Sequence, residues 1–263
     1  MKQIGSPFPW VIAYGNWLFK TRNTVFPLVM LALFAGFSPV LAGGTLAADH
    51  WLDLAGLLVA LSGQALRAAV IGYAYIKRGG LNKQVHADKL VTEGFFAHAR
   101  NPLYDGNLLI LAGLFMVHNN PLVYLLGGVF FVTAYIAIIA AEETFLAEKF
   151  GAEYEDYCAR VNRWLPRLGG LRATMQGMAF NWRRVILKDY ASAYTWMMAV
   201  LLLLTYESYC AGEAGSDWLP LLIAAMALTG SFLLARWLKK SRILTENGNP
   251  PAEPPPTDTS AAE

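Results

Sequence analysis

Four groups of polar residues interrupt an otherwise apolar chain. The first is Leu90-Val91-Thr92-Glu93-Gly94-Phe95-Phe96-Ala97-His98-Ala99-Arg100-Asn101-Pro102-Leu103-Tyr104-Asp105-Gly106-Asn107. Pro102 disfavours helix at Asn101, so the run reads as an ordered loop entering a helix near Leu103. Arg100 and Asn101 then offer donors beside a helix N-terminus, a seat suited to a carboxylate. Tyr104 and the phenylalanines could flank a cationic sulfur or an adenine ring. The second group is Glu142-Glu143, two adjacent carboxylates that should close an apolar helix and open an amphipathic one over Thr144 to Val161. By itself such a pair is an ordinary solvated helix boundary.

The third group is Arg67 beside Gln64, inside an apolar stretch. An ionisable group in a membrane span is costly and faces protein or a water-filled cavity. At the helical rise, Arg67 sits about 13–15 Å from the nearer end of its span, far for snorkelling. It is expected to reach a site or a buried ion partner. The fourth group is Lys77-Arg78-Gly79-Gly80-Leu81-Asn82-Lys83. Its glycines could let backbone approach an anion, although alone it reads as a basic turn. The histidines His50, His86, His98 and His118 have no HExxH-type spacing, and Cys158 and Cys210 form no CxxC pair. No bound metal is expected from them.

The elements that must position these residues are membrane spans. The chain has 263 residues, 56% hydrophobic and 15% charged, where a soluble domain carries about 25% charged residues. The net charge of +2 is too small to suggest nucleic acid. Apolar stretches run over Val25–Leu41, Trp51–Ile76, Gly106–His118 (short), Leu122–Ala141, Ala191–Cys210 and Trp218–Trp237. A span needs about 20 residues. The third and fourth read as a helical hairpin joined by His118-Asn119-Asn120-Pro121.

The fold class is therefore an all-α, polytopic integral membrane protein of about six transmembrane helices. Lys and Arg collect in every second loop, and the segments 42–50, 118–121 and 211–217 have none. By the positive-inside rule both termini face the cytoplasm, in a bacterial inner membrane. The two cysteines then lie on opposite sides and stay unpaired. Residues 1–24 form an N-terminal segment with Trp10 to Phe19 as an interfacial helix. Residues 25–167 form the core. Residues 168–244 hold a linker and two further spans that look like an appendage. The Pro-, Ala- and Glu-rich tail, 245–263, cannot bury a core and is expected to be disordered.

The order Leu90-Val91-Thr92-x-Gly94-x-Phe96, then Arg100-Asn101-Pro102-Leu103-Tyr104-x-Gly106, then a hairpin, Glu142-Glu143, and Phe150-Gly151-x-Glu153-Tyr154-x-x-Tyr157 through Val161 to Leu165-Pro166 resembles the isoprenylcysteine carboxyl methyltransferase and phospholipid methyltransferase superfamily. The resemblance spans about Trp51 to Pro166. It implies a cytoplasmic-face site for S-adenosyl-L-methionine, and a lipid or lipid-modified acceptor from the bilayer. By position it assigns the cofactor to Asp88, Lys89, Leu90, Val91, Phe96, Asn101, Pro102, Leu103, Tyr104 and Glu142. Arg100 and Glu143 are the catalytic candidates, and Arg67 and Asn107 the residues expected near the acceptor's head. The family pattern has His where Asn101 stands. Its arginine shortly before the acidic pair is replaced by apolar residues near Ile138. A sterol-reductase-type membrane enzyme using NADPH and a non-enzymatic membrane protein are the alternative readings.

Overall fold

The computed structural model describes residues 8–73, 85, 87–176, 178–212 and 218–245. The basic loop Lys77 to Lys83 and residues 246–263 of the tail lie outside the described residues. Among those described, the regular structure is entirely helical: α1 Pro9–Gly36, α2 Leu46–Tyr73, α3 Pro102–His118, α4 Pro121–Phe150, α5 Ala152–Arg160, α6 Leu171–Gln176, α7 Trp182–Cys210 and α8 Trp218–Lys240. Short 3-10 turns cover Ala42–Gly44 and Gly94–Ala97. The chain is an integral membrane protein. Four helices, α1, α2, α4 and α8, are long and apolar enough to cross a bilayer. Helix α3 has 17 residues, and α7 carries Arg183, Arg184, Lys188, Asp189 and Glu207.

Helices α2 and α3 pack antiparallel through small residues. Gly56, Ala60, Gly63, Arg67 and Val70 are all buried on α2, and Gly106, Ile110, Gly113 and Val117 on α3. Their three- and four-residue spacings make one stripe on each helix. The backbones approach so closely that a Cβ on Gly63 would lie 2.5 Å from the Gly106 carbonyl oxygen, and one on Gly113 would lie 2.4 Å from that of Gly56. Small residues at such a crossing are the usual means of close helix packing in lipid, where burial away from water supplies no force.

Helices α1 and α4 pair in a similar way. A Cβ on Gly15 would meet the Ala137 carbonyl oxygen at 2.0 Å. This contact corrects the expected interfacial helix. Trp10 to Phe19 is the first part of one 28-residue helix that continues through Pro27. Leu18 is fully buried and Phe19 is 6% exposed, so both pack against protein. Trp10 and Trp17 remain exposed.

Two other expected boundaries shift. Helix α4 does not stop at Glu142-Glu143 but runs on to Phe150, where Gly151, at φ +51°, separates it from α5. The helix that holds the apolar stretch expected from Ala191 begins at Trp182. Asn181 caps it, its side chain accepting from the Arg184 N–H at 2.9 Å. Asp189 is thereby two turns inside α7. Nor is α7 an appendage: it packs on both α2 and α3, with α8 against its outer side. Helix α8 has no buried residue, as suits a helix surrounded by lipid on most sides.

Candidate active site

Gly94, at φ +62°, turns the chain into the 3-10 turn that buries Phe96. Arg100 N–H donates to the Asn162 carbonyl at 2.9 Å, and Arg167 N–H donates to the His98 carbonyl at 3.1 Å. The His98 ring sits 2.6 Å from the Arg167 carbonyl oxygen through Nδ1 and 3.0 Å from Thr174 Oγ1 through Nε2. The segment after α5 is thus stitched along the whole loop that leads to α3. Pro102 occupies the first turn of α3, and Asn101 precedes it without capping it through its side chain. The Asn101 amide instead donates to the Arg163 carbonyl at 3.1 Å.

Two charged clusters face each other where α3 begins and about two turns before α4 ends. In one, Tyr104 donates its hydroxyl to Glu142 Oε1 at 2.8 Å and accepts from Arg22 of α1 at 3.0 Å. In the other, Glu143 lies 3.2 Å from Arg100 and also pairs with Arg163. Arg100 further donates to Cys158 Sγ at 2.8 Å. Burial alone would lower the Arg100 pKa, but the Glu143 carboxylate and the Cys158 sulfur hold it above its ordinary value. Tyr157 donates to the Phe96 carbonyl at 2.7 Å, so α5 supports the loop from beneath. Both cysteines are unpaired.

A third cluster lies deeper. Buried Arg67 of α2 pairs with Asp189 of α7 and donates to Asn107 of α3. Gln64 donates to Asp189 at 2.8 Å and accepts from Trp196 Nε1 at 2.9 Å. Arg67 is therefore the buried, paired arginine its position in the span called for.

One cavity of about 1360 Å³ joins the three clusters. Asp88, Lys89, Leu90, Val91, Phe96, Arg100, Asn101, Leu103, Tyr104, Glu142 and Glu143 line it, as do Arg67 and Asn107. Pro102 is buried behind the wall and does not line the cavity. Beyond Arg67 the lining becomes apolar and runs along α1, α3 and α7 to Phe34, Leu114 and Leu203. Leu31 of α1 and Leu202 of α7 both border the cavity and are each 64% exposed. At this arm the cavity is thus bordered by side chains that reach the outer surface of α1 and α7.

Arg22, Arg163, Asp189 and Trp196 were not singled out by sequence. Arg22 had a legible signal, since Leu18, Arg22 and Phe26 recur at four-residue intervals on one helical face. Asp189 had none, because it precedes the apolar run taken as its span. Ile138, where the family pattern has an arginine, is fully buried in the α1–α4 contact and does not line the cavity.

Comparison with known proteins gives a family for part of the chain. Residues 52–153 match the phospholipid methyltransferase family model. The chain is 29% identical over 119 residues to protein-S-isoprenylcysteine O-methyltransferase B of Arabidopsis thaliana, covering 44% of this chain and 60% of that protein. It is 31% identical over 133 residues to the Mus musculus protein-S-isoprenylcysteine O-methyltransferase, covering 48% and 45%. It is 27% identical over 151 residues to the nickel-cobalt-cadmium resistance protein NccN of Alcaligenes xylosoxydans xylosoxydans, covering 57% and 65%. The matched region is less than two thirds of each relative. No solved structure matches. These matches show the resemblance to the isoprenylcysteine carboxyl methyltransferase and phospholipid methyltransferase superfamily.

Proposed function

We propose that this chain, which carries the phospholipid methyltransferase family region at residues 52–153, methylates a lipid or lipidated acceptor using S-adenosyl-L-methionine. The observation that carries the reading is the single cavity. Its polar end gathers residues from the 88–104 loop and the Glu142-Glu143 pair, and its apolar arm is lined by α1, α3 and α7, where Leu31 and Leu202 are largely exposed. A volume of about 1360 Å³ exceeds the roughly 300–1,000 Å³ of a site for one small ligand, as suits two substrates.

The residues at the polar end fit the cofactor. Leu90, Val91 and Phe96 offer an apolar wall, and Glu142 and Tyr104 offer hydrogen-bonding groups. Arg100 Nε is buried beside the cavity without a hydrogen-bond partner, a donor suited to a carboxylate. S-adenosyl-L-methionine supplies an electrophilic methyl group on a sulfonium sulfur. The chain's contribution is positioning, which accounts for much of the rate in an in-line displacement. Arg67 and Asn107 hold the acceptor's head between the polar end and the apolar arm. Glu143, with arginines on both sides, fixes Arg100, a role that suits an acceptor with no proton to remove, such as a carboxylate. An amine acceptor would need another base.

In this reading the bundle has six spans, with α3 and α7 joining the four most apolar helices. The polar end faces the cytoplasm, as do both termini, in a bacterial inner membrane. The acceptor's tail enters from the bilayer between α1 and α7.

The test is binding of radiolabelled S-adenosyl-L-methionine to the purified chain in detergent, with Tyr104→Phe and Glu142→Gln beside the parent. Saturable binding weakened at least tenfold in both variants supports the reading. Binding of NADPH instead, or unchanged affinity in both variants, overturns it. Mass spectrometry of lipids and prenylated peptides incubated with the enzyme then identifies the acceptor by a gain of one CH₂.

A further inference from the structure

We propose that Asp49 and Asp53 of α2 and Glu207 of α7 form a site for a divalent cation of the hard, oxygen-preferring class, which fastens α7 to α2. The site goes beyond the methyl-transfer reading. It stands at the other end of the bundle, Asp49 being about 27 Å from Arg67 at the helical rise.

Asp49 and Asp53 are four residues apart, which places both on one face of α2. Glu207 comes from the last turns of α7, and ligand oxygens of the three carboxylates lie within 4.8 Å of one another. Asp49 is 2% exposed and Glu207 8% exposed. Asp49 Oδ1 accepts from the Ala42 N–H at 2.8 Å, which fixes that carboxylate. Glu207 Oε1 and Asp53 Oδ1, by contrast, are buried without a hydrogen-bond partner.

Three carboxylates at this separation repel unless positive charge lies among them. The segments around them, 42–50 and 211–217, contain no Lys or Arg, and no ion pair joins any of the three to a Lys or Arg among the described residues. His50, next to Asp49, is exposed. Carboxylate oxygens from two helices are the donor set that Ca²⁺, Mn²⁺ and Mg²⁺ prefer, with carbonyls or water completing the shell. The absence of Cys and His ligands, which led the sequence reading to expect no metal, excludes the softer sites but not this one.

Helix α7 is thus attached at two levels. Arg67 and Asp189 hold it near the acceptor head, and the cation holds it at the far end. A ligand that binds only the folded arrangement raises stability by mass action.

The test uses the full chain in detergent, stripped with EDTA and titrated with MnCl₂. Free Mn²⁺ is followed by electron paramagnetic resonance and stability by the melting temperature. One Mn²⁺ bound per chain is expected, displaced by CaCl₂, with a rise of several degrees in Tm. Glu207→Gln and Asp53→Asn should each weaken binding at least tenfold and remove the rise, while a Glu153→Gln change at an exposed position of α5 should not. The absence of saturable Mn²⁺ binding overturns the site, as does binding unchanged in both variants. An EDTA-insensitive chain that melts higher as Glu207→Gln also overturns it, since protons shared among the carboxyls would then supply the missing charge.

Discussion

Asp189 of α7 meets Arg67 of α2 inside the bundle, with both side chains buried. The pair joins a helix inside the family region to one beyond it, residues 52–153 being the matched part. It also positions the cavity wall, because Trp196, one of the apolar residues that follow Asp189 along α7, is tied to the same cluster through Gln64. The proposed acceptor pocket therefore depends on a helix that the family region does not include.

Breaking that pair should be costly. Removing one partner of a buried ion pair typically costs about 3–5 kcal/mol, because the other charge stays buried and alone. Asp189→Ala should lower the melting temperature markedly and loosen α7. The double variant Arg67→Met/Asp189→Leu should recover most of the loss, because no charge is then left uncompensated. Thermal melts of the parent and these two variants check this.

The α2–α3 crossing admits no larger side chain. Gly113→Val should destabilise by roughly 1–3 kcal/mol or more through overpacking, since even its Cβ would lie 2.4 Å from backbone oxygen. Gly128→Val on α4 is the control, because nothing lies within 4 Å of a Cβ there. Denaturation of the two variants side by side provides the comparison.

Glu143→Gln separates a positioning role from general-base catalysis. The variant leaves Arg100 and Arg163 without their shared carboxylate. If Glu143 fixes Arg100, activity should fall and KM for the cofactor rise, with the shape of the pH–rate profile unchanged. Loss of the profile's acid limb would instead identify Glu143 as the base.

Tyr154 and Tyr157 of α5 should make the chain sensitive to alkali. Burial pushes both phenols well above their ordinary value of 10.0. A group whose pKa is raised on folding contributes its full stability below the unfolded pKa and loses it as pH climbs towards the folded one. Stability should therefore hold up to about pH 10 and decline above it. In Tyr157→Phe that decline should be shallower, at a cost near neutral pH of about 0.5–1.5 kcal/mol for the lost hydrogen bond to Phe96. Melting temperatures between pH 7 and 11 test both parts.

The apolar arm should set the acceptor's tail length. Ala199→Trp and Leu203→Trp narrow it on α7. If the tail lies there, both should raise KM for long-chain acceptors far more than for short ones, leaving cofactor affinity unchanged. Kinetics with a series of acceptors of increasing chain length would show it.

Residue order alone determined much of this protein. Lipid demands long apolar runs and internally satisfied backbones, so the all-helical class, the Pro102 entry to α3 and the hairpin at Asn119-Asn120-Pro121 are local patterns that can be read directly. The residues from Asp88 to Tyr104 and the pair Glu142-Glu143 also stood out, because polar groups beside a membrane need a reason. Only the tertiary structure decided the partners. Arg22 meets Tyr104 across 82 positions, and Asp189 meets Arg67 across 122. Nothing local in either segment encodes the meeting. It follows from how closely Gly15, Gly63 and Gly113 let the helices approach, and from α4 and α7 continuing past the ends of their apolar runs. The same packing divided the adjacent carboxylates, sending Glu142 to Tyr104 and Glu143 to two arginines. Successive residues on a helix point about 100° apart, so neighbours in sequence came to face different parts of the cavity.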